Sequence, residues 1–274
     1  MSLSESMSVP FYQVDSFTTT PRTGNPAAVC VLSTARDADW MQAVAAEMNL
    51  SETAFVRPQA NGTYRLRWFT PTAEVDLCGH ATLASAHVLW SDGFLAPDAE
   101  ARFDTQSGRL TASRDGEWMA MNFPADPPAP VEPPSGLLDA LGVVDPRYVG
   151  KSERDFFVHC SAEEEVVRID PDLNSLAGLD SRGVIVTASS DRTDVDFVSR
   201  FFGPGVGVPE DPVTGSAHCA LGPYWAGQMG QTSLTGRQVS ARGGTVRTAL
   251  DGPGADRVTL SGRAVTVIRG RLDT

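Results

Sequence analysis

The chain has 274 residues, with 22 Lys and Arg against 34 Asp and Glu, giving a net charge of −12 and an isoelectric point near 4.7. That balance excludes nucleic acid or an anionic membrane as the main partner, and a hydrophobic fraction of 41% excludes wholesale disorder. The four cysteines, Cys30, Cys78, Cys160 and Cys219, are far apart and form no CxxC pair, which excludes a disulfide scaffold or a structural zinc module.

The length suits one large domain or two modest ones. No apolar run approaches the roughly 20 residues needed to cross a bilayer. The N-terminus has neither a cationic start nor an apolar stretch, so Met7 is the expected start, residues 1–6 an extension, and the cytoplasm the expected compartment. In chain order, 10–17 alternates apolar and polar residues as a strand does. A turn-rich stretch ending in Gly24-Asn25-Pro26 leads to a buried strand over 27–32. Residues 39–48 read as a helix with Trp40, Val44 and Met48 on one face. A turn at Asn49-Leu50-Ser51 enters another strand at Glu52. Residues 64–69 alternate again, 78–90 form a long helix of small residues, and 103–113 and 117–123 pair as antiparallel strands.

The segment 124–134 carries six prolines and reads as a linker near mid-chain. Beyond it the pattern predicts a short helix over 136–141, strands near 155–160 and 164–169, and a helical turn over 172–178. Strands are then expected over 183–188, 194–201, 238–242, 245–250, 257–261 and 264–271. The halves repeat one another. Arg67-Trp68-Phe69-Thr70-Pro71 is matched by Arg200-Phe201-Phe202-Gly203-Pro204, and Cys78-Gly79-His80-Ala81 by Thr214-Gly215-Ser216-Ala217. Acidic residues precede each glycine, Glu74 and Asp76 in one half, Glu210 and Asp211 in the other. Two matched blocks in one order, flanking a Pro-rich stretch, point to internal duplication.

Each block sets a glycine where an apolar helix begins. A helix start offers unpaired N–H groups and the positive dipole end, which suit a carboxylate, and glycine lets a ligand approach the backbone. Two such copies predict a cleft between the halves with two anion-accepting ends, with His80 and Ser216 at the matched position. His87 reads as a packing histidine, and nothing around His159 suggests chemistry. Ser216, His218 and Asp211 do not form a hydrolase triad, because residues two apart on a helix do not face each other and no G-x-S-x-G elbow exists. Cys78, His80, His218 and Cys219 match no common zinc spacing. Glu52, set among Leu50, Ala54, Phe55 and Val56, is either a buried acid/base with a raised pKa or a solvated group in a local turn. Periodicity favours neither.

Five strings together resemble the PhzF-like family, named for a phenazine biosynthesis isomerase: Tyr12-Gln13-Val14-Asp15-Ser16-Phe17, Gly24-Asn25-Pro26, Asn49-Leu50-Ser51-Glu52-Thr53-Ala54-Phe55, Cys78-Gly79-His80-Ala81-Thr82 and Glu210-Asp211-Pro212-Val213-Thr214-Gly215-Ser216-Ala217. They occur in family order across most of the chain. The resemblance implies an α/β (α+β) diaminopimelate epimerase-like fold, with two pseudo-symmetric domains, each a curled, mostly antiparallel sheet around a central helix. The expected domains are 7–124 and 135–261, joined by 125–134, with 262–274 returning to the first.

By the same resemblance Glu52 removes and redelivers the substrate proton, while His80 and Asp211 position the substrate and relay protons. Ser216 and the backbone of Gly79 and Gly215 bind a carboxylate, and Asn25 and Asp15 are pocket residues, although Asp15 equally suits a turn. The related epimerases use two cysteines across the cleft. Here Cys78 is kept, but the second position is Thr214. The resemblance therefore implies a cofactor-independent and metal-free isomerase acting on a small carboxylate-bearing molecule. An amino- or hydroxy-acid epimerase and a non-catalytic metabolite-binding protein are the alternatives. Family habit implies a homodimer, which no segment of the sequence demonstrates.

Overall fold

The structure is a computed structural model in which residues 8–252 and 254–273 are described. The expected start at Met7 and the extension 1–6 lie outside the described residues. The chain divides into two compact units. One holds the chain up to Met121 and the segment from Gly262 onward; the other runs from Asn122 to Ser261.

In chain order the first unit forms β1 (Val9–Ser16), β2 (Asn25–Val31), α1 (Ala38–Met48), β3 (Glu52–Pro58), β4 (Tyr64–Phe69) and β5 (Glu74–Val75). It continues through α2 (Gly79–Ser91), β6 (Ala101–Thr105), β7 (Gly108–Asp115) and β8 (Trp118–Pro124), the last running across the boundary. The second unit forms β9 (Ala129–Pro130), α3 (Leu137–Leu141), β10 (Tyr148–Lys151), β11 (Asp155–His159), α4 (Glu163–Arg168) and α5 (Leu173–Ala177). Then follow β12 (Gly183–Ser189), β13 (Phe197–Phe202), α6 (Gly215–Met229), β14 (Ser233–Gln238), β15 (Gly244–Ala249) and β16 (Arg257–Gly262). The final strand, β17 (Ala264–Leu272), belongs to the first unit.

The two units are wired alike. In the first, β1 lies antiparallel to β2 and β17, β2 parallel to β3 across α1, and β3 antiparallel to β4. Next β4 runs parallel to β6 across α2, and β6, β7 and β8 form an antiparallel meander. In the second, β10 lies antiparallel to β11 and β9, β11 parallel to β12 across α4 and α5, and β12 antiparallel to β13. Then β13 runs parallel to β14 across α6, followed by the antiparallel series β14, β15 and β16. The duplication read from two short sequence blocks thus extends over every main strand pairing.

Each sheet curls around one helix. On α2, residues 80–86 and 88–90 are all buried, against β1, β2, β3 and β17. Ala81, Ala84, Ser85 and Ala86 are small enough for strands to pass close on several sides. On α6 the corresponding residue is Gly222, where an added Cβ would stand 3.1 Å from Thr248 Cβ on β15 and 3.2 Å from Val258 on β16. Pro223 follows it inside the helix and cannot donate to the carbonyl of Cys219. That freed carbonyl accepts the N–H of Asp126 at 2.9 Å.

The segment 125–134, expected as a linker, is laced into the second unit. Ala125 N–H donates to Asp256 C=O, Ala129–Pro130 pairs with Gly150 and Lys151, and the Tyr148 hydroxyl donates to Pro128 C=O at 2.7 Å. The expected strand at 164–169 is instead α4. Glu163, Glu164 and Glu165 sit in its first turn and Arg168 in its last, complementing the helix dipole. The expected strand 103–113 is broken into β6 and β7 by a turn at Gly108, whose φ is 97°. On α1 the buried face centres on Met41 and Ala45, with Trp40 and Val44 at its edge. Among the described residues no helix is long and apolar enough to cross a membrane.

Gly24 closes the β1–β2 connection at φ 69°, and an added Cβ would meet the carbonyl oxygen of Ser16 at 2.2 Å. Both strain and backbone clash oppose any side chain there. Gly24→Ala should therefore lower the unfolding free energy by more than about 1 kcal/mol, read as a shifted urea midpoint at unchanged slope. A wild-type midpoint would show that the turn has another shape.

Candidate active site

In the first unit the chemistry gathers where strand ends meet the start of α2. The Ser16 hydroxyl at the end of β1 donates to His80 C=O at 2.8 Å. Asn25, fully buried, opens β2 opposite Ser16. Glu52 opens β3 opposite Ala27 of β2, two positions beyond Asn25. Asp15 accepts the Arg22 N–H at 2.6 Å and so pins the β1–β2 turn. The N-cap of α2 is Cys78, whose side chain makes no cap hydrogen bond, and its first turn has no acidic residue. Gly79 and the residues after it thus begin the helix without the usual oxygen acceptor.

Glu52, Cys78 and His80 stand together. Cys78 Sγ lies 3.5 Å from His80 Nδ1, and His80 Nε2 lies 3.1 Å from Glu52 Oε2. The latter is an ion-pair contact off the line of a good hydrogen bond, so neither atom has a well-aligned partner. Glu52 retains 19% of its side-chain exposure and His80 8%, so the pair is shielded yet reachable from the Glu52 side. Burial pushes the Glu52 carboxyl up, but the charge of His80 and polar contacts from His80 and Cys78 outweigh it and hold the pKa below the ordinary value. The raised pKa considered from sequence is thereby corrected: a hydrophobic neighbourhood was visible there, its cationic partner was not. For His80, burial disfavours the imidazolium, but Cys78 and Glu52 more than offset this and hold its pKa well above 6.5. Burial and the charge of Glu52 push the Cys78 thiol up, and the charge of His80 and its polar contact oppose them.

The donor atoms of Glu52, Cys78 and His80 lie within 4.8 Å of one another, close enough to suggest a divalent cation. His80, however, turns Nδ1 to the thiol and Nε2 to the carboxylate, and one ion cannot take both ring nitrogens. The arrangement fits proton traffic through the ring better than coordination.

The second unit has a matching helix start. Thr214, N-cap of α6, also makes no side-chain cap bond. Its hydroxyl donates to Asp211 Oδ2 at 2.6 Å, and the buried amide of Gln238 takes the Thr214 N–H and donates to Asp211 C=O. Gly215 begins the helix and Ser216 is exposed on its first turn. Arg182 Nη1 donates to Ser216 Oγ at 2.9 Å, while Arg182 Nε and Nη2 grip the buried carboxylate of Asp155.

Arg182, Asp155 and Gln238 were missed from sequence. The signal lay in aligning strands rather than glycine blocks: β12 pairs with β11 as β3 pairs with β2, so Arg182-Gly183 occupies the place of Ser51-Glu52. The glycine is obligatory, because a Cβ at Gly183 would meet Phe201 Cζ at 2.5 Å and Phe202 C=O at 2.7 Å.

The other histidines have structural partners. His218 Nδ1 donates to Thr214 C=O at 2.8 Å, which removes it from any triad with Ser216. His87 Nε2 meets Thr266 Oγ1 at 3.0 Å, and His159 Nδ1 meets the Tyr224 hydroxyl at 2.8 Å. Burial pushes each of the three down to about 4. The matched blocks also share an ion pair. Arg67 forks onto Glu74 at 2.6 and 2.8 Å, and Arg200 onto Glu210 at 2.7 and 3.0 Å. Each guanidinium lies over a phenylalanine two residues on, Phe69 or Phe202. These forks tie the strand before each helix to the acidic segment leading into it.

The model of phenazine biosynthesis-like proteins (PhzC-PhzF) matches residues 14–270. The chain belongs to this family. A relative from Halalkalibacterium halodurans, named an uncharacterized isomerase, is 50% identical over 97% of this chain and 99% of its own. The crystal structure of a PhzF-family protein from Enterococcus faecalis superposes with a TM-score of 0.91 at 42% identity, covering 97% of this chain and 99% of that one. A hydroxyproline epimerase from Agrobacterium vitis shares the fold alone, with a TM-score of 0.60 at 12% identity over 97% and 93% of the two chains. The phenazine biosynthesis-like chain thus has the mixed α/β, epimerase-like fold that the five strings implied.

The pKa directions fix a pH signature. Glu52 adds stability above an unfolded value of 4.5, lost as pH falls through its lower folded value. His80 adds stability below 6.5, lost as pH rises through its higher folded value. The other three histidines oppose folding as pH falls from 6.5 toward about 4. At pH 7, nitrogen NMR should show one imidazolium, assigned to His80 by its loss in His80→Gln, and three neutral rings. A neutral His80 would refute the ion pair.

Proposed function

We propose that this phenazine biosynthesis-like protein is a cofactor-independent isomerase that moves a proton within a small carboxylate-bearing metabolite, with Glu52 as the acid/base. The observation that carries this reading is Glu52 Oε2 set 3.1 Å from His80 Nε2 at the uncapped start of α2, a contact that favours the ionised carboxylate.

The low pKa of Glu52 limits the chemistry. A weakly basic carboxylate takes a proton from carbon only where an adjacent unsaturated system has made that carbon acidic. Glu52 Oε then carries the proton, the electron pair of the broken C–H bond spreads into the unsaturated system, and the proton returns to another carbon of it. Nothing is oxidised or reduced. His80 keeps Glu52 ionised before the transfer and stabilises the anionic charge that develops; Cys78 holds the ring through Nδ1. In the first unit the backbone N–H at Gly79 offers a donor to a polar substrate group, and in the second unit Gly215, Ser216 and Asp211 form a matching polar subsite. Orientation replaces the missing base strength.

The alternative is an epimerase with two bases on opposite faces of one carbon. Two observations favour a single base. The position matching Cys78 is Thr214, and the position matching Glu52 is Gly183, where no side chain fits.

The test is proton exchange. Incubating the protein with cyclic carboxylates in deuterated water and reading carbon-bound hydrogen by NMR should reveal exchange or isomerisation of some member. In Glu52→Gln the rate should fall by about 10²–10⁴-fold with the melting temperature and ligand-induced thermal shift retained. Undiminished turnover in that variant would sink the assignment. Thermal shifts without any exchange in the wild type would favour a metabolite-binding protein instead.

A further inference from the structure

We propose that Arg182 is a positioning residue that makes the Ser216 hydroxyl a dedicated hydrogen-bond donor, so that this subsite selects an anionic acceptor such as a carboxylate and rejects its amide. The inference rests on the substrate-binding role of Ser216 given above and extends it to a residue and a discrimination.

Arginine has N–H donors and no acceptor. Arg182 Nη1 donates to Ser216 Oγ at 2.9 Å, so the serine oxygen receives that bond and its own O–H points elsewhere. Among the described residues Ser216 Oγ has no other hydrogen-bond partner, and the residue is exposed. A ligand arriving there meets an O–H donor polarised by a full positive charge, with Nη1 keeping a second N–H. Both features favour an oxygen acceptor bearing negative charge.

The guanidinium is held rigidly. Asp155, 2% exposed, takes Nε and Nη2 in a two-point grip, and Phe201 lies under the guanidinium plane at 5.1 Å. A flexible surface arginine would be solvated and would impose no direction on the hydroxyl; this one is clamped on two sides. The duplication gives independent support. Ser216 and His80 occupy matched positions on the first turns of α6 and α2, and each meets a charged side chain from the strand start that the shared topology places there. In the first unit that group is the anion Glu52; in the second it is the cation Arg182, beside a glycine that admits no side chain. One copy has kept the acid/base and the other its charge-inverted counterpart.

Removing Arg182 alone strands the buried Asp155 carboxylate and threatens folding. The test therefore uses Arg182→Gln/Asp155→Asn, which removes both charges and keeps hydrogen-bonding groups, alongside Arg182→Lys. Calorimetric binding is measured for anthranilate, benzoate and pyrrole-2-carboxylate, each against its carboxamide. The wild type should prefer at least one carboxylate over its amide by about tenfold or more, equivalent to about 1.4 kcal/mol. The double variant should lose that preference to within about twofold while melting as a folded protein, and Arg182→Lys should recover part of it. A folded double variant with the full preference, or a wild type with no preference for any pair, would overturn the proposal. A double variant that does not fold leaves Arg182→Lys to decide: full wild-type preference there overturns it, a partial loss supports it. Binding is read without turnover, so Glu52→Gln should keep the preference even if the acid/base reading fails.

Discussion

A helix can be surrounded by a sheet only if its side chains let strands approach, and this constraint shapes both units. On α2 the alanines and Ser85 meet it; on α6 Gly222 does, with Thr248 and Val258 pressed against its backbone. A buried helix cannot leave its first N–H groups to bulk water, yet neither Cys78 nor Thr214 caps its helix through a side-chain bond. Polar groups from neighbouring strand ends therefore crowd around the helix start. Ser16 and Glu52 do so around His80 in the first unit, and Arg182 and Gln238 around Thr214 and Ser216 in the second.

The duplicated wiring has been kept where it carries structure and changed where it carries charge. The Arg67–Glu74 and Arg200–Glu210 forks, each over a phenylalanine, are nearly superimposable in their bonding. The strand starts beside the helices are not. Glu52 confronts an imidazolium, whereas Gly183 is forced to be glycine by Phe201 and Phe202 and hands the position to Arg182. The proposed single acid/base rests on that steric exclusion as much as on a threonine, Thr214, at the place matching Cys78.

The glycine blocks, the acid before each and the strand opening at Glu52 were legible because they are local strings with local physical reasons. Family membership and fold class followed from five such strings in order. The protonation of Glu52 was not legible, because apolar neighbours in sequence report burial while the opposing imidazolium comes from a helix 28 residues later. Arg182 escaped because only the strand register equates it with Ser51. The Pro-rich stretch misled because proline content reports what a segment cannot donate. Its anchor, the Cys219 carbonyl, is freed by a proline in a distant helix. At 164–169, β-branched Val166, Val167 and Ile169 suggested a strand, while the three glutamates before them start a helix.

The strand β17 fills the ladder beside β1, joining Val9 to Leu272 and Ser16 to Ala264. It also lies against α2, whose first turn carries His80. During synthesis the unit from Asn122 to Ser261 emerges with all its own residues, while the unit made first still lacks an edge of its sheet. The unit begun first is thus completed after the other, through a loop closure that brings β17 back to β1 across the whole second unit. Until β17 is made, β1 exposes an unpaired edge of the kind that invites wrong partners.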